Sequence, residues 1–249
     1  MGVAIASAAT HTGLQKTTSQ TKSFTTINCA NGFVILVFTT GHAAAGVNGT
    51  PTWNGSNMTL AITQSSGPGA AIYYAADSVA RTANAVVNSF DAGIPKGFGI
   101  FQVSGMKGIG NTQGLWVSST SISVTCTGVV AGDMTVDGMQ KTTGGSDTGG
   151  DNAASVGANQ TLQTSAAHGS DPFSWCGVST QVTTDGIMSW SFSPSMSAGM
   201  AAVNLQGVIA GPQSVWMWIQ KQQKFLRDLK AGLIPPNVLR RRYQELVAI

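Results

Sequence analysis

Hydrophobic positions fall in two registers along this chain, and the change between them divides it. Up to about residue 212 the apolar residues alternate or run in short blocks; after it they recur every three or four positions. The strongest block is Phe33-Val34-Ile35-Leu36-Val37-Phe38, set between an Asn-Gly and a Thr-Thr-Gly turn. It is far shorter than the roughly 20 residues a bilayer-spanning helix needs, and its β-branched and aromatic content predicts a strand. A strand apolar on both faces must be covered on both, so this one is expected to seed the core.

Around it the pattern predicts about a dozen short strands. Ser23 to Cys29 precedes the block. Thr52 to Leu60 reads as a hairpin turning at Asn54-Gly55, a pair suited to the positive φ of a tight turn. Ala70–Tyr74, Asn84–Phe90, Gly97–Val103, Ser121–Cys126, Met134–Met139, Thr161–Ser165, Trp175–Thr183, Ile187–Phe192 and Met200–Gln206 follow. Asn111–Ser119 and Lys141–Gly157 read as loops. The expected fold is all-β, an antiparallel two-sheet, jelly-roll-like β-sandwich over residues 23–211. Residues 1–22 read as an extended N-terminal arm.

From Ser214 the period becomes helical. Val215, Trp218, Ile219, Phe225, Leu226 and Leu229 form an apolar stripe, Gly232 ends the helix and Pro235-Pro236 bends the chain. Asn237 caps a second short helix carrying Leu239, Tyr243 and Leu246. Residues 212–249 are thus expected to be a C-terminal α-helical appendage that anchors or oligomerises the protein.

Charge sharpens that boundary. Only 9% of the chain is charged, against roughly 25% in ordinary soluble domains. Residues 1–212 hold six Lys/Arg and eight Asp/Glu, a balance of −2; residues 213–249 hold seven and two, a balance of +5. A weakly charged surface rich in Ser and Thr suits a protein packed against neighbours. In the tail, Arg240, Arg241 and Arg242 sit at a helix start, the unfavourable end of the dipole, so they are expected to meet a partner. Trp216 widens the apolar surface beyond one stripe. Together Trp216, Trp218, Ile219, Phe225, Leu226, Leu229, Arg240, Arg241, Arg242 and Tyr243 form the expected docking surface, for protein in preference to nucleic acid.

Chemistry is sparse. Three separated cysteines, Cys29, Cys126 and Cys176, include no CxxC pair and are expected to be free and mostly buried. His11, His42 and His168 show no metalloprotease or His–Cys spacing, and His42 and His168 read as exposed loop residues. There is no nucleophile elbow and no phosphate-binding loop. Asp147 and Asp151 lie in a Gly-rich loop without the EF-hand ligand order, so no metal is expected, and no cofactor. Asp133 and Asp137, four apart, read as surface carboxylates; a glycosidase pair is the alternative. Trp53, Tyr73, Tyr74, Trp116, Trp175 and Trp190 read mainly as core, with Trp116 the one expected to be exposed and available for glycan contact. No cationic region precedes the apolar start, so no signal peptide is expected.

Several phrases in order complete the reading: Thr52-Trp53-Asn54-Gly55 with Met58-Thr59-Leu60, Ala71-Ile72-Tyr73-Tyr74, and Ala83-Asn84-Ala85-Val86-Val87. Phe101-Gln102-Val103-Ser104-Gly105-Met106, Gly132-Asp133-Met134-Thr135-Val136, Met188-Ser189-Trp190-Ser191 and Ala201-Ala202-Val203-Asn204-Leu205 follow. Over residues 23–207 this order resembles a β-sandwich module of tailed-bacteriophage virion structural proteins. The resemblance implies a non-enzymatic virion component, assembled in the host cytoplasm. It would serve as capsid decoration or a tail or fibre part, partnered by other virion proteins and by its own copies. The alternative is a carbohydrate-binding module that recognises host surface glycans.

Overall fold

The computed structural model describes residues 2–41, 49–88, 93–142, 154–168, 171–182, 184–208, 223 and 227, the side chains at 168, 171–173 and 194 excepted. The chain forms two compact units, Met1–Val208 and Ile209–Ile249. The first is all-β. Its strands are β1 (Ala4–His11), β2 (Ser19–Thr26), β3 (Phe33–Thr40), β4 (Thr52–Trp53), β5 (Ser56–Asn57), β6 (Thr59–Gln64), β7 (Gly69–Ala76) and β8 (Arg81–Asn88). They continue with β9 (Lys96–Ser104), β10 (Met106–Thr125), β11 (Met134–Thr142), β12 (Ser155–Val156), β13 (Gln160–His168), β14 (Asp171–Gln181) and β15 (Ile187–Gly207).

Every described strand pair is antiparallel, and the strands make three sheets where two were expected. The central sheet runs β1-β9-β3-β7-β6, a second runs β10-β15-β11-β14-β13 with β12 beside β15, and a small third runs β2-β8-β4-β5. The reason for the third sheet lies in β3. Val34, Ile35, Leu36 and Val37 are fully buried and Phe38 is 2% exposed, so both faces need a cover. Ile35 and Val37 pack toward Val136, Val178, Val203 and Leu205 of the second sheet. Val34, Leu36 and Phe38 pack toward Phe24, Trp53, Ala85 and Val87 of the third. The hairpin β4–β5 turns at Asn54 and Gly55, both at positive φ, as the Asn-Gly pair predicts.

The central and second sheets stack strand over strand. β6 lies against β10, β7 against β15, β3 against β11 and β1 against β13. Gly99 of β9 meets Val178 of β14. The tip of the β6–β7 hairpin is pressed onto the second sheet: Pro68 carbonyl fills the space any side chain at Gly199 would need.

Four expectations are corrected here. Residues 4–11 are not a free arm; β1 is hydrogen-bonded along β9, because Val3, Ile5 and Ala9 give it an apolar face for the core. Asn111–Ser119 is not a loop but the middle of the 20-residue β10; its Gly, Asn and Ser content hides a strand whose ladder to β15 supplies the order. The two predicted strands at 187–192 and 200–206 are one, β15. Its register with β10 jumps between Ser119↔Met196 and Ser121↔Ser191, where the paired ribbon turns. Beyond that turn Ile122, Met188 and Trp190 share a cluster with Met139, Ala198, Met200 and Ala202, so the ribbon doubles back over its own sheet. Finally, Asp133 and Asp137 are buried, at 3% and 0% exposure, and not surface carboxylates.

Of the second unit, Gln223 and Arg227 are described, both helical and exposed. The rest of the expected helices lies outside the described residues. So do Trp216, Trp218, Ile219, Phe225, Leu226, Leu229, Arg240, Arg241, Arg242, Tyr243, His42, Asp147 and Asp151.

Candidate functional site

Among the described residues of the first unit, several reactive side chains sit inside it, tied to neighbours. Asp137, on β11 opposite Ser179 of β14, receives Ser179 N–H at 3.1 Å, Ser179 Oγ at 2.7 Å and Trp190 Nε1 at 2.7 Å. Burial lifts its pKa to about 7, against the lowering pull of those donors. Asp133 receives Val130 N–H, Asn204 Nδ2 and Gly207 N–H, at 3.2, 3.0 and 2.8 Å. The two carboxylates thus hold separate sets of donors, and both are buried.

Asp77 is the third buried carboxylate. It accepts Trp53 Nε1 at 2.7 Å and Val79 N–H at 3.2 Å, and pairs with Arg81 Nε at 3.2 Å. A small hollow of about 130 Å³ beside it is lined by Trp53, Asn54, Asp77 and Arg81. That is below the roughly 300 Å³ where ligand pockets begin.

One pairing had no signal in the sequence. His11 Nε2 lies 3.3 Å from Cys176 Sγ, across 165 positions and from β1 to β14. Gly13 N–H donates to His11 Nδ1 at 2.8 Å, so the ring proton sits on Nε2 and points at sulfur. A nucleophilic thiol–imidazole pair needs a low thiol pKa and a protonated ring. Here the reverse holds. Burial, with a smaller push from Lys22, takes His11 down to about 4, and burial takes Cys176 up to about 12. The pair is a neutral strap between the stacked sheets. Cys29, Cys126 and Cys176 are all free of disulfides. Among the described residues no three His, Cys, Asp or Glu side chains converge as metal ligands.

The exposed chemistry lies at the sheet edges. Trp53, Tyr73, Trp175 and Trp190 are buried, leaving Trp116, at 44%, the exposed aromatic among the described residues. A stacking platform of several rings is therefore not assembled there. Trp116 donates Nε1 to Ser197 Oγ at 3.0 Å, and its indole lies over Gly67, where a side chain would collide with the ring. It stands on β10, which forms one border of the second sheet. β10 has one charged residue, Lys107, and no proline in 20 positions. The other borders of the stacked pair, β1, β6 and β13, contain no Asp, Glu, Lys or Arg. Natural sheets ordinarily guard such borders with charge, proline or bulges.

No known protein family matches this chain, and no characterised protein matches it in sequence.

Proposed function

We propose that this protein is a non-catalytic structural subunit of a tailed-phage-like virion. Its β-sandwich unit would face outward as a capsid decoration or a tail or fibre component, and residues 212–249 would dock it to the particle. The observation that carries this reading is the division between interior and surface. The carboxylates Asp77, Asp133 and Asp137 and the His11–Cys176 pair are consumed by internal contacts, while the borders offer backbone, hydroxyl and amide groups almost free of charge. A surface of that kind suits permanent neighbours better than free solvent. The resemblance of the ordered phrases over residues 23–207 supports the virion setting, and the +5 balance of residues 213–249 supports a docking tail.

The test is removal of residues 212–249. The remaining sandwich is expected to melt cooperatively yet to show, by light scattering, a smaller assembly than the full chain. An assembly of unchanged size after truncation would overturn the anchoring role.

A further inference from the structure

The borders differ in one respect that selects a partner. In β1 the register with β9 slips at Ile5/Ser7 and again at Ser7/Thr10. In β6 it slips at Leu60/Ile62, and in β13 at Leu162/Thr164 and Ala167/His168. These irregularities interrupt the ladders and are a recognised guard against further pairing. In the third sheet β2 is unbroken, but Lys22 stands in its middle and Ser7 Oγ already occupies Thr25 carbonyl. β10 alone among these described borders keeps register over eight uncharged residues, Thr112 to Ser119. Gly114, Leu115, Trp116 and Ser118 within it are exposed.

We infer that the Thr112–Ser119 segment of β10 pairs with the same segment of a second copy of this chain. Two features choose a second copy in this arrangement. An uncharged strand border offers alternating N–H and C=O groups and nothing for a charged ligand to grip, so its complement is another uncharged strand. The direction follows from strand count. Both stacked sheets have five strands on their main path, all alternating, so their two borders run the same way. A neighbour added head to tail, β13 against β10, would have to pair parallel. A two-fold axis perpendicular to the sheets instead sets β10 antiparallel to itself and continues the pattern of the whole fold.

Register follows from parity. Directly opposed residues in an antiparallel pair share a face, and this axis preserves faces, so one residue must oppose its own copy. The centre therefore falls on Leu115, pairing 112–118, or on Trp116, pairing 113–119. Either choice places an exposed apolar side chain at the middle of the joint.

The inference does not depend on the virion setting or on the tail. Its test is a single-cysteine scan of the full-length chain in a Cys29→Ser background, from Gln113→Cys to Ser119→Cys, with mild oxidation and non-reducing electrophoresis. Disulfide dimers should peak at Leu115→Cys or Trp116→Cys and fall by about fivefold two positions away on either side, since the bond requires Cβ atoms about 4 Å apart. Ser118→Lys in the full chain should weaken the dimer at least tenfold in sedimentation equilibrium while leaving the melting temperature at high dilution unchanged. Uniform or absent cross-linking across the segment, or a dimer indifferent to Ser118→Lys, overturns the proposal. If the tail truncation leaves assembly size unchanged while the central cross-link persists, the anchoring role fails and the edge pairing stands. Loss of the cross-link pattern with a tail-dependent assembly means the reverse.

Discussion

At the residue scale the interior is held by carboxylates that were legible only as residue types. Asp133 and Asp137 sit where the pattern of polar and apolar positions says surface, and nothing around Asp77 marks it for the interior. Their donors arrive from elsewhere: Trp53 from 24 positions away, Trp190 from 53 and Gly207 from 74. A sequence displays a carboxylate but not the N–H groups that will make its burial tolerable, so alternation misplaced Asp133 and Asp137. The same holds for His11 and Cys176, whose meeting is created by the stacking of β1 on β13 and β14. Asp77 offers a direct measurement. Trp53→Phe keeps the ring against Phe24, 6.0 Å away centre to centre, and deletes one donor to a buried carboxylate. Because a buried acceptor that loses its partner costs about 1–3 kcal/mol, urea unfolding of Trp53→Phe should show a loss of that size. A loss near zero would mean Arg81 and Val79 already satisfy the carboxylate.

Strands as units were far more readable. The block at 33–38 announced β3 and its two-sided burial, because unbroken β-branched and aromatic runs have no other stable place in a β protein. The Asn54-Gly55 hairpin was equally plain, since few residue pairs accept two positive φ values. β10 was half missed for the opposite reason: Gly108, Gly110 and Gly114 and its serines carry little propensity, and the strand is made by its ladder to β15. β1 was missed as well, because alanines pattern too weakly to reveal a face. Since β3 touches both neighbouring sheets, damage there should spread. Leu36 is fully buried between the central and third sheets. Leu36→Ala should cost about 2–5 kcal/mol, read as a lowered urea midpoint with an unchanged slope. A cost below 1 kcal/mol would mean the two sheets can close on the gap.

For the first unit as a whole, two buried groups make acid behaviour a balance. His11, with its pKa lowered to about 4, stays neutral in the folded state while the unfolded chain takes up a proton near 6.5, so it withdraws stability as pH falls from 6.5 to 4. Asp137, raised to about 7, keeps its proton in the folded state while the unfolded chain loses one near 3.8, so it withdraws stability as pH rises from 3.8 to 7. The windows overlap and the slopes oppose, so between pH 4 and 6.5 the two pH dependences nearly cancel while both groups still withdraw stability. Asp137→Asn should expose the His11 slope, stability rising with pH relative to wild type, and His11→Gln the Asp137 slope, stability falling. Each slope is at most about 1.4 kcal/mol per pH unit, measurable by urea titrations at three pH values. Parallel profiles for all three proteins would show that neither group changes protonation between its folded and unfolded states in this range.

The doubled-back ribbon has a consequence for how the chain is made. β10 is finished at Thr125, but the strand that completes it begins at Ile187, 62 positions later. During synthesis at about 5–20 residues per second, β10 therefore waits several seconds with both of its long sides bare. In that interval the inner side of β10 is open to strands other than β15, the kind of exposed edge on which misassembly starts. Slower translation across residues 126–187 is therefore expected to lower the yield of soluble protein, which expression of a variant message with slow codons there would measure.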